Sequence, residues 1–275
     1  MQKPVITILL AGGEGTRMHS DTPKALHTLC GLPMLDWVLR AARIPGADGA
    51  EPPIAIVSQG AEQIKAHYGD RLRYVEQQHR RGTGAALLGA RELLAGKTGR
   101  VLVLAADIPM LSADTLAALA ALNCSAAVLT ATLSDPSGHG RVLRAAGREF
   151  TGVAEEEDLT PEQQGIHEVR VSAYCFDIAV LLPVLDELNQ EIGQGELSMG
   201  GVLSALKERG ICVSTLSVSP EEAMGVNDRA QLAACTAALR RRINRAHMLS
   251  GVTLIDPEAT YIDATVKIGR DCTIY

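Results

Sequence analysis

The stretch Val5-Ile6-Thr7-Ile8-Leu9-Leu10-Ala11-Gly12-Gly13-Glu14-Gly15-Thr16-Arg17-Met18, with Pro23-Lys24 shortly after it, decides the fold of this chain. Its apolar opening predicts a buried strand, and the glycines at 12, 13 and 15 predict a tight turn at the strand's carboxyl end. Such a turn presents bare backbone N–H groups at the edge of a sheet, where phosphates are commonly held. Arg17 and Lys24 bring two cations to the same rim. The segment reads as a site for a polyanionic small molecule, a nucleoside triphosphate. The plainer alternative is a glycine-rich βα turn with solvated cations. Spacing excludes two familiar phosphate loops. The segment lacks the P-loop's Gly-Lys-Ser/Thr, and Met18 stands where a dinucleotide fingerprint wants its third glycine.

Outward from this loop, strands and helices alternate. Met34, Leu35, Val38, Leu39 and Ala42 recur at helical spacing and predict an amphipathic helix over 33–43. Strands are expected at 53–57, 73–75 and 126–133, and helices at 84–94 and 113–122. Residues 100–106 form a continuous apolar run ending at Asp107, as expected of a central parallel strand buried on both faces. The pattern predicts an α/β fold with a doubly wound, mostly parallel sheet, Rossmann-like in its alternation, whose ligands sit at the carboxyl ends of the strands. By that rule Gly12, Gly13 and Asp107 share one rim. Farther on come a turn at 135–138, extended chain at 140–143, an acidic run at 155–158 and a strand at 169–176. A long connecting helix is expected at 229–248, with Leu232, Leu239 and Ile243 on one stripe.

The tail changes period. Ile262, Ile268 and Ile274 recur every six residues, and Thr260, Val266 and Cys272 keep the same step. That spacing predicts the start of a left-handed parallel β-helix, truncated after two steps. The expected organisation is a main domain over 1–227, a connecting helix over 228–250 and the β-helix start over 251–275.

Composition narrows the class. With 275 residues, 47% of them hydrophobic, the chain can bury a sizeable core. Its net charge is −6 and Arg240-Arg241-Arg242 with Arg245 is the only dense basic patch, so nucleic acid is not an expected partner. No apolar run reaches membrane-spanning length, and no secretory leader precedes the first strand. The cysteines, Cys30, Cys124, Cys175, Cys212, Cys235 and Cys272, form no Cys-x-x-Cys pair. A cytoplasmic location is the expectation.

Residues 10–18 with Pro23-Lys24 closely resemble the signature of sugar-1-phosphate nucleotidylyltransferases. The resemblance is best to the uridylyltransferase domain of bifunctional N-acetylglucosamine-1-phosphate uridylyltransferase/glucosamine-1-phosphate acetyltransferase. It extends through Gln77 with Gly82-Thr83-Gly84, Asp107-Ile108-Pro109, Gly140-Arg141-Val142, Gln194-Gly195-Glu196 and Gly225-Val226-Asn227-Asp228-Arg229 to the hexapeptide steps, nearly the whole chain. The resemblance implies attack of a sugar 1-phosphate on the α-phosphate of UTP, with loss of pyrophosphate and assistance from Mg²⁺. It implies that Leu10, Ala11, Gly12 and Gly13 line the uracil and phosphates, with Gly15 and Thr16 in the same loop. Gln77, Gly82 and Thr83 would read the base, an imide edge with donors and acceptors. Arg17 and Lys24 would neutralise charge during transfer, and Asp107 and Asn227 would bind Mg²⁺. Gly140 and Glu155 match the sugar-binding pattern, and Arg170 falls within it. The sugar is most simply N-acetylglucosamine 1-phosphate.

Local alternatives stand beside these roles. Asp107 could cap the following turn, Asn227 could cap the long helix, Gln78 could replace Gln77, and Glu155 could be part of a wet acidic surface. A noncatalytic nucleotide-sugar-binding homologue and a molybdopterin-type cofactor nucleotidylyltransferase are rival readings of the whole. Acetyl transfer is not expected of this chain, because in the resembled family it needs a long trimeric β-helix. A homo-oligomer is compatible with the tail, a trimer only if the β-helix is completed.

Departures from the family pattern cluster around the sugar. Ala105-Ala106 replace an aromatic-Gly pair before Asp107, Arg80 replaces a glutamine, and Arg170-Val171-Ser172 stands where Asn-x-Gly is expected. After Glu196 come Leu197-Ser198-Met199-Gly200-Gly201 instead of an aromatic and Thr-Asp. A guanidinium cannot replace an amide isosterically and favours an anion. The expectation is an altered sugar, for instance one carrying a carboxylate, or reduced activity.

Overall fold

The computed structural model describes residues 4–43, 51–77, 82–146, 149–191 and 196–275. Among them one large sheet is built from β1 (Val5–Leu10), β2 (Ile54–Val57), β3 (Arg73–Glu76), β4 (Arg100–Ala105), β5 (Ala126–Thr132), β6 (Arg141–Arg144), β7 (Phe150–Ala154), β8 (Glu168–Asp177) and β9 (Val213–Val218). The order is β9-β5-β8-β4-β1-β2-β3, with β6 joined to β8 and β7 to β6. Pairs β4-β1, β1-β2, β2-β3 and β5-β9 run parallel. The strand β8 is antiparallel to both β4 and β5. The expected central strand at 100–106 is therefore parallel to one neighbour only.

The apolar run of β1 follows from the sheet's two covered faces, because successive side chains alternate between them. Leu9 joins Val57, Leu104 and Leu129 on one face, under α1 (Met34–Ala41), α2 (Ala61–Tyr68) and α4 (Ala113–Ala121). Ile8 joins Ile56, Val103 and Val128 on the other, under α3 (Thr83–Gly89), α5 (Ile178–Glu191) and α6 (Met199–Glu208). Ile8 and Leu9 are both fully buried.

One helix differs from the sequence expectation, and another forms where none was expected. The helix expected at 84–94 breaks at Ala90 into α3 and a short turn of helix at Arg91–Leu94. Gly89, a poor helix former, stands at the break. The helix α6 begins Met199-Gly200-Gly201, a sequence that reads as a loop by propensity. Burial of Val202, Leu203 and Leu206 overrides that preference, as tertiary packing commonly does.

The long helix α7 (Arg229–Leu249) is more than a connector. It buries Cys235, Ala238 and Leu239 against Met18, Leu29, Met34, Met110 and Val226, with Leu232 at the margin. Ile243 instead packs on the tail, where Val252, Leu254 and Ile262 are buried and Ile268 and Ile274 lie against them. Asn244 donates hydrogen bonds to the carbonyls of Pro257 and Thr260 at 2.7 and 2.9 Å. A parallel pairing of Thr253–Leu254 with Thr273–Ile274 is the extent of β-helix-like structure among the described residues. The tail docks on the hairpin made by Thr28–Leu29 and Leu32–Pro33 through the bond from Ala264 N to the Cys30 carbonyl. No described helix is long and apolar enough to cross a membrane. Cys175 and Cys235 are buried, Cys212 and Cys272 exposed, and all six cysteines are free thiols.

Candidate active site

The carboxyl ends of β1, β2 and β4 form the floor of the site. Ala11 N donates to the Ile56 carbonyl and Ala106 N to the Leu10 carbonyl, so the strand ends stay tied as the loops leave them. Ser58, directly after β2, donates from Oγ to the Gly12 carbonyl at 2.5 Å and clamps the glycine loop. Ser58 is absent from the sequence-based site, although its place after the strand adjoining β1 puts it on the same rim. Gly15 has φ +62°, and a Cβ there would come within 2.9 Å of Lys24 Cβ. Both the backbone conformation and the approach of the lysine stem require glycine. Thr16 and Arg17 follow in a short 3₁₀ turn, both exposed, and Arg17 makes no ion pair among the described residues. The Arg229 Nε donates to the Met18 carbonyl at 3.1 Å, fastening α7 to the same loop.

Three residues far apart in sequence meet beside this loop. Lys24 Nζ lies 2.5 Å from Asp107 Oδ2 and 3.1 Å from Asn227 Oδ1. Asp107 is delivered by the end of β4, and its backbone carbonyl accepts from Val226 N at 2.9 Å, bringing residues 225–228 alongside. The helix cap is Asp228, whose carboxylate accepts from Gln231 N at 2.7 Å. Asn227 is thereby released from capping, and its amide oxygen points at Lys24. The Asp107 side chain likewise faces Lys24. A carboxylate and an amide oxygen converging on one cation are hard donors that fit Mg²⁺, which keeps water and phosphate for its remaining positions. No group of three or more His, Cys, Asp and Glu residues able to hold a metal occurs among the described residues.

Opposite the glycine loop lies the segment expected to read the base. Gln77 Nε2 donates to the Gly82 carbonyl at 3.3 Å, and a Cβ on Gly12 would come 3.3 Å from Gln77 Oε1, so Gln77 bridges the two glycine segments. Gly82 has φ +90°, and a Cβ there would fall 2.4 Å from the Leu197 carbonyl. The Thr83 hydroxyl accepts from Met199 N at 3.1 Å, seating the start of α6. Gln78, Arg80, Gln194 and Gly195 lie outside the described residues.

A cleft of about 590 Å³ runs from Arg17 and Asp107 to Gly140, Glu155 and Arg170, with Gly82, Thr83 and Asn227 in its wall. Leu10, Ala11, Gly13 and Lys24 line a smaller hollow of about 40 Å³ that shares Asp107. The first two residues of the acidic run pair with arginines, although Glu156, Glu157 and Asp158 are exposed. Arg141 pairs with Glu156 at 2.6 Å, and Arg170 Nη2 lies 3.0 and 3.3 Å from the two oxygens of Glu155. Arg170 Nη1 also donates to the Tyr174 hydroxyl. Burial works against the guanidinium's charge, but Tyr174 and Glu155 outweigh it and raise its pKa above the ordinary value. The anion that Arg170 favours is thus supplied by the chain itself.

A family model described as a MobA-like NTP transferase domain matches residues 7–172. The bifunctional protein GlmU of Latilactobacillus sakei is 41% identical over 274 residues, covering 97% of this chain and 58% of that protein. Its namesake in Geobacter metallireducens is 38% identical over 275 residues, covering 98% and 57%. The chain spans less than two thirds of the length of these relatives. A Bacillus anthracis structure, solved as a candidate glucose-1-phosphate thymidylyltransferase in complex with a sucrose, superposes with a TM-score of 0.68 at 18% identity. It covers 85% of this chain and 94% of its own, and shares the fold.

Proposed function

Because the chain belongs to the MobA-like NTP transferase domain family, we propose that it transfers a uridylyl group from UTP to a sugar 1-phosphate, most simply N-acetylglucosamine 1-phosphate. The products are a UDP-sugar and pyrophosphate. The observation that carries this reading is the meeting of Lys24, Asp107 and Asn227 at the glycine loop, brought together across 83 and 203 residues of sequence. Supporting it are the resemblance of residues 10–24 to sugar-1-phosphate nucleotidylyltransferases and a relative 41% identical in an alignment over 97% of the chain.

The chemistry joins two anions, so positioning and charge neutralisation carry most of the work and no nucleophilic side chain is needed. With Ala11 N spent on the Ile56 carbonyl, the backbone N–H groups of Gly12 and Gly13 would meet the incoming phosphates, and Gly15 lets the chain turn tightly enough for Lys24 to reach the same place. Arg17, exposed at the cleft mouth, is free to pair with the triphosphate and with charge developing on the leaving pyrophosphate. Asp107 and Asn227 would hold Mg²⁺, which supplies further neutralisation at the phosphates when bound. Gln77 and the Gly82–Thr83 backbone would hold the base, leaving the Gly140–Glu155 end of the cleft for the sugar. The acceptor phosphate then lies between the two, in line with the bond to pyrophosphate. Loss of that pyrophosphate completes the exchange without any covalent enzyme intermediate.

The test is pyrophosphate release from UTP in the presence of Mg²⁺. Release that depends on both UTP and N-acetylglucosamine 1-phosphate is expected. Binding of nucleotide without release would contradict the reading and favour a noncatalytic nucleotide-sugar-binding protein.

A further inference from the structure

We infer that Arg170 and Glu155 work as one charge-neutral specificity pair, which keeps the acceptor site selective for uncharged sugar 1-phosphates over those that carry a carboxylate. The inference rests on the nucleotidyl-transfer reading and names its acceptor class. It starts from the alternation of β8, where Arg170, Ser172 and Tyr174 share one face while Val169 and Val171 are buried on the other. The guanidinium lies along that face. Its Nη1 donates to Tyr174 and reaches Ser172 Oγ at 3.4 Å, and its Nη2 is spent on Glu155. The remaining nitrogen, Nε, is buried without a partner.

Glu155 is held in place as well. Its carboxylate sits between two glycines, since a Cβ on Gly140 would come 3.0 Å from Oε2 and one on Gly200 would come 2.7 Å from Oε1. The Glu155 side chain keeps 32% exposure, against 14% for Arg170, so the cleft meets the carboxylate more than the guanidinium. A carboxylate has about four acceptor sites, and the arginine occupies only part of them. What remains can accept from sugar hydroxyl or amide N–H groups. An amide side chain offers a neutral acceptor at this position, and the carboxylate paired with the guanidinium offers acceptor sites with zero net charge over the pair. The pair thus stands in for the amide that Arg170 displaces.

An acidic sugar fares worse in this cleft. Its carboxylate would have to compete with Glu155 for the same Nη2. It would also approach Glu155, Glu156, Glu157, Asp158 and Glu196, which line the cleft. Hydroxyl groups face no such repulsion.

Calorimetric titration of the full chain, with Mg²⁺ and a non-hydrolysable UTP analogue present, reads the pairing without turnover. N-acetylglucosamine 1-phosphate should bind wild-type protein about tenfold or more tightly than glucuronic acid 1-phosphate, the scale of one charged hydrogen bond. Glu155→Gln frees the guanidinium and should tighten glucuronic acid 1-phosphate binding by about tenfold. Arg170→Gln restores an amide and should keep the wild-type preference, which decides the matter if the first variant fails to fold. Equal binding of the two sugars to wild type, binding of neither, or a folded Glu155→Gln variant with no gain for glucuronic acid 1-phosphate would each overturn the inference. Loss of pyrophosphate release alongside the expected binding pattern would instead defeat the nucleotidyl-transfer reading and leave the pairing standing.

Discussion

Arg17 and Lys24 share a sign and a loop but have different surroundings. Lys24 is half-buried, its ammonium held by Asp107 and Asn227, whereas Arg17 is exposed at the mouth of the cleft. Arg17→Ala should therefore leave the fold intact and lower kcat by about 10²- to 10³-fold, the effect of losing one preorganised donor to the transition state. Steady-state kinetics beside a thermal melt checks this, and unchanged turnover would remove Arg17 from the mechanism. Asp107→Asn removes the charged donor of the proposed metal pair, so Mn²⁺ binding followed by electron paramagnetic resonance should weaken by about tenfold or more. The loop residues and Asp107 were legible in sequence because glycine spacing and a strand end leave a pattern along the chain. The partner of Arg170 was not. Which carboxylate meets a guanidinium depends on the β6 to β8 pairing, and no local pattern shows that an unusual cation arrives with its counter-ion.

At the scale of elements, the loop at 82–84 and the start of α6 form one unit. Gly84 N donates to the Leu197 carbonyl at 2.8 Å, and Met199 N donates to Thr83. Gly82→Ala places a side chain at φ +90° against the Leu197 carbonyl and should cost about 1–3 kcal/mol by chemical denaturation, with KM for the nucleotide rising in step. The hairpin at 28–33 offers a pH test. His27, just before it, is 8% exposed, and burial, helped by Arg229, lowers its pKa below the ordinary value. Below about pH 6.5 the unfolded chain takes up a proton there that the folded chain resists. Stability is thus present above that pH and falls as the pH drops toward the depressed value. The melting temperature should decline between about pH 7 and 5 more steeply for wild type than for His27→Gln. The β1, β2, β4 and α1 segments could be read from periodicity alone. Helix α6, with its paired glycines, could not, because long-range packing against the sheet creates it.

The whole molecule is a mixed sheet with the candidate site on the carboxyl edge of its parallel part, closed on one side by α7. The sequence-based expectation of a doubly wound, mostly parallel fold agrees with that architecture. The antiparallel β8 between β4 and β5 was hidden, since a strand covered on both faces reads the same in either direction. The tail's isoleucines at 262, 268 and 274 pack with Val252 and Leu254, and one parallel pairing joins Thr253–Leu254 to Thr273–Ile274, which does not establish the β-helix start read from the six-residue step. We propose that α7 and the tail brace the site as well as extend from it, because Asn227 and Arg229 lie at the head of the helix that carries the tail. In the proposed reaction the phosphate of a sugar 1-phosphate attacks the α-phosphate of UTP. N-acetylglucosamine 1-phosphate bearing oxygen-18 in its non-bridging phosphate oxygens tests it by mass spectrometry of both products. All of the label should appear in the UDP-sugar and none in pyrophosphate; label in pyrophosphate, or UMP formed without a labelled nucleotide sugar, would contradict the account.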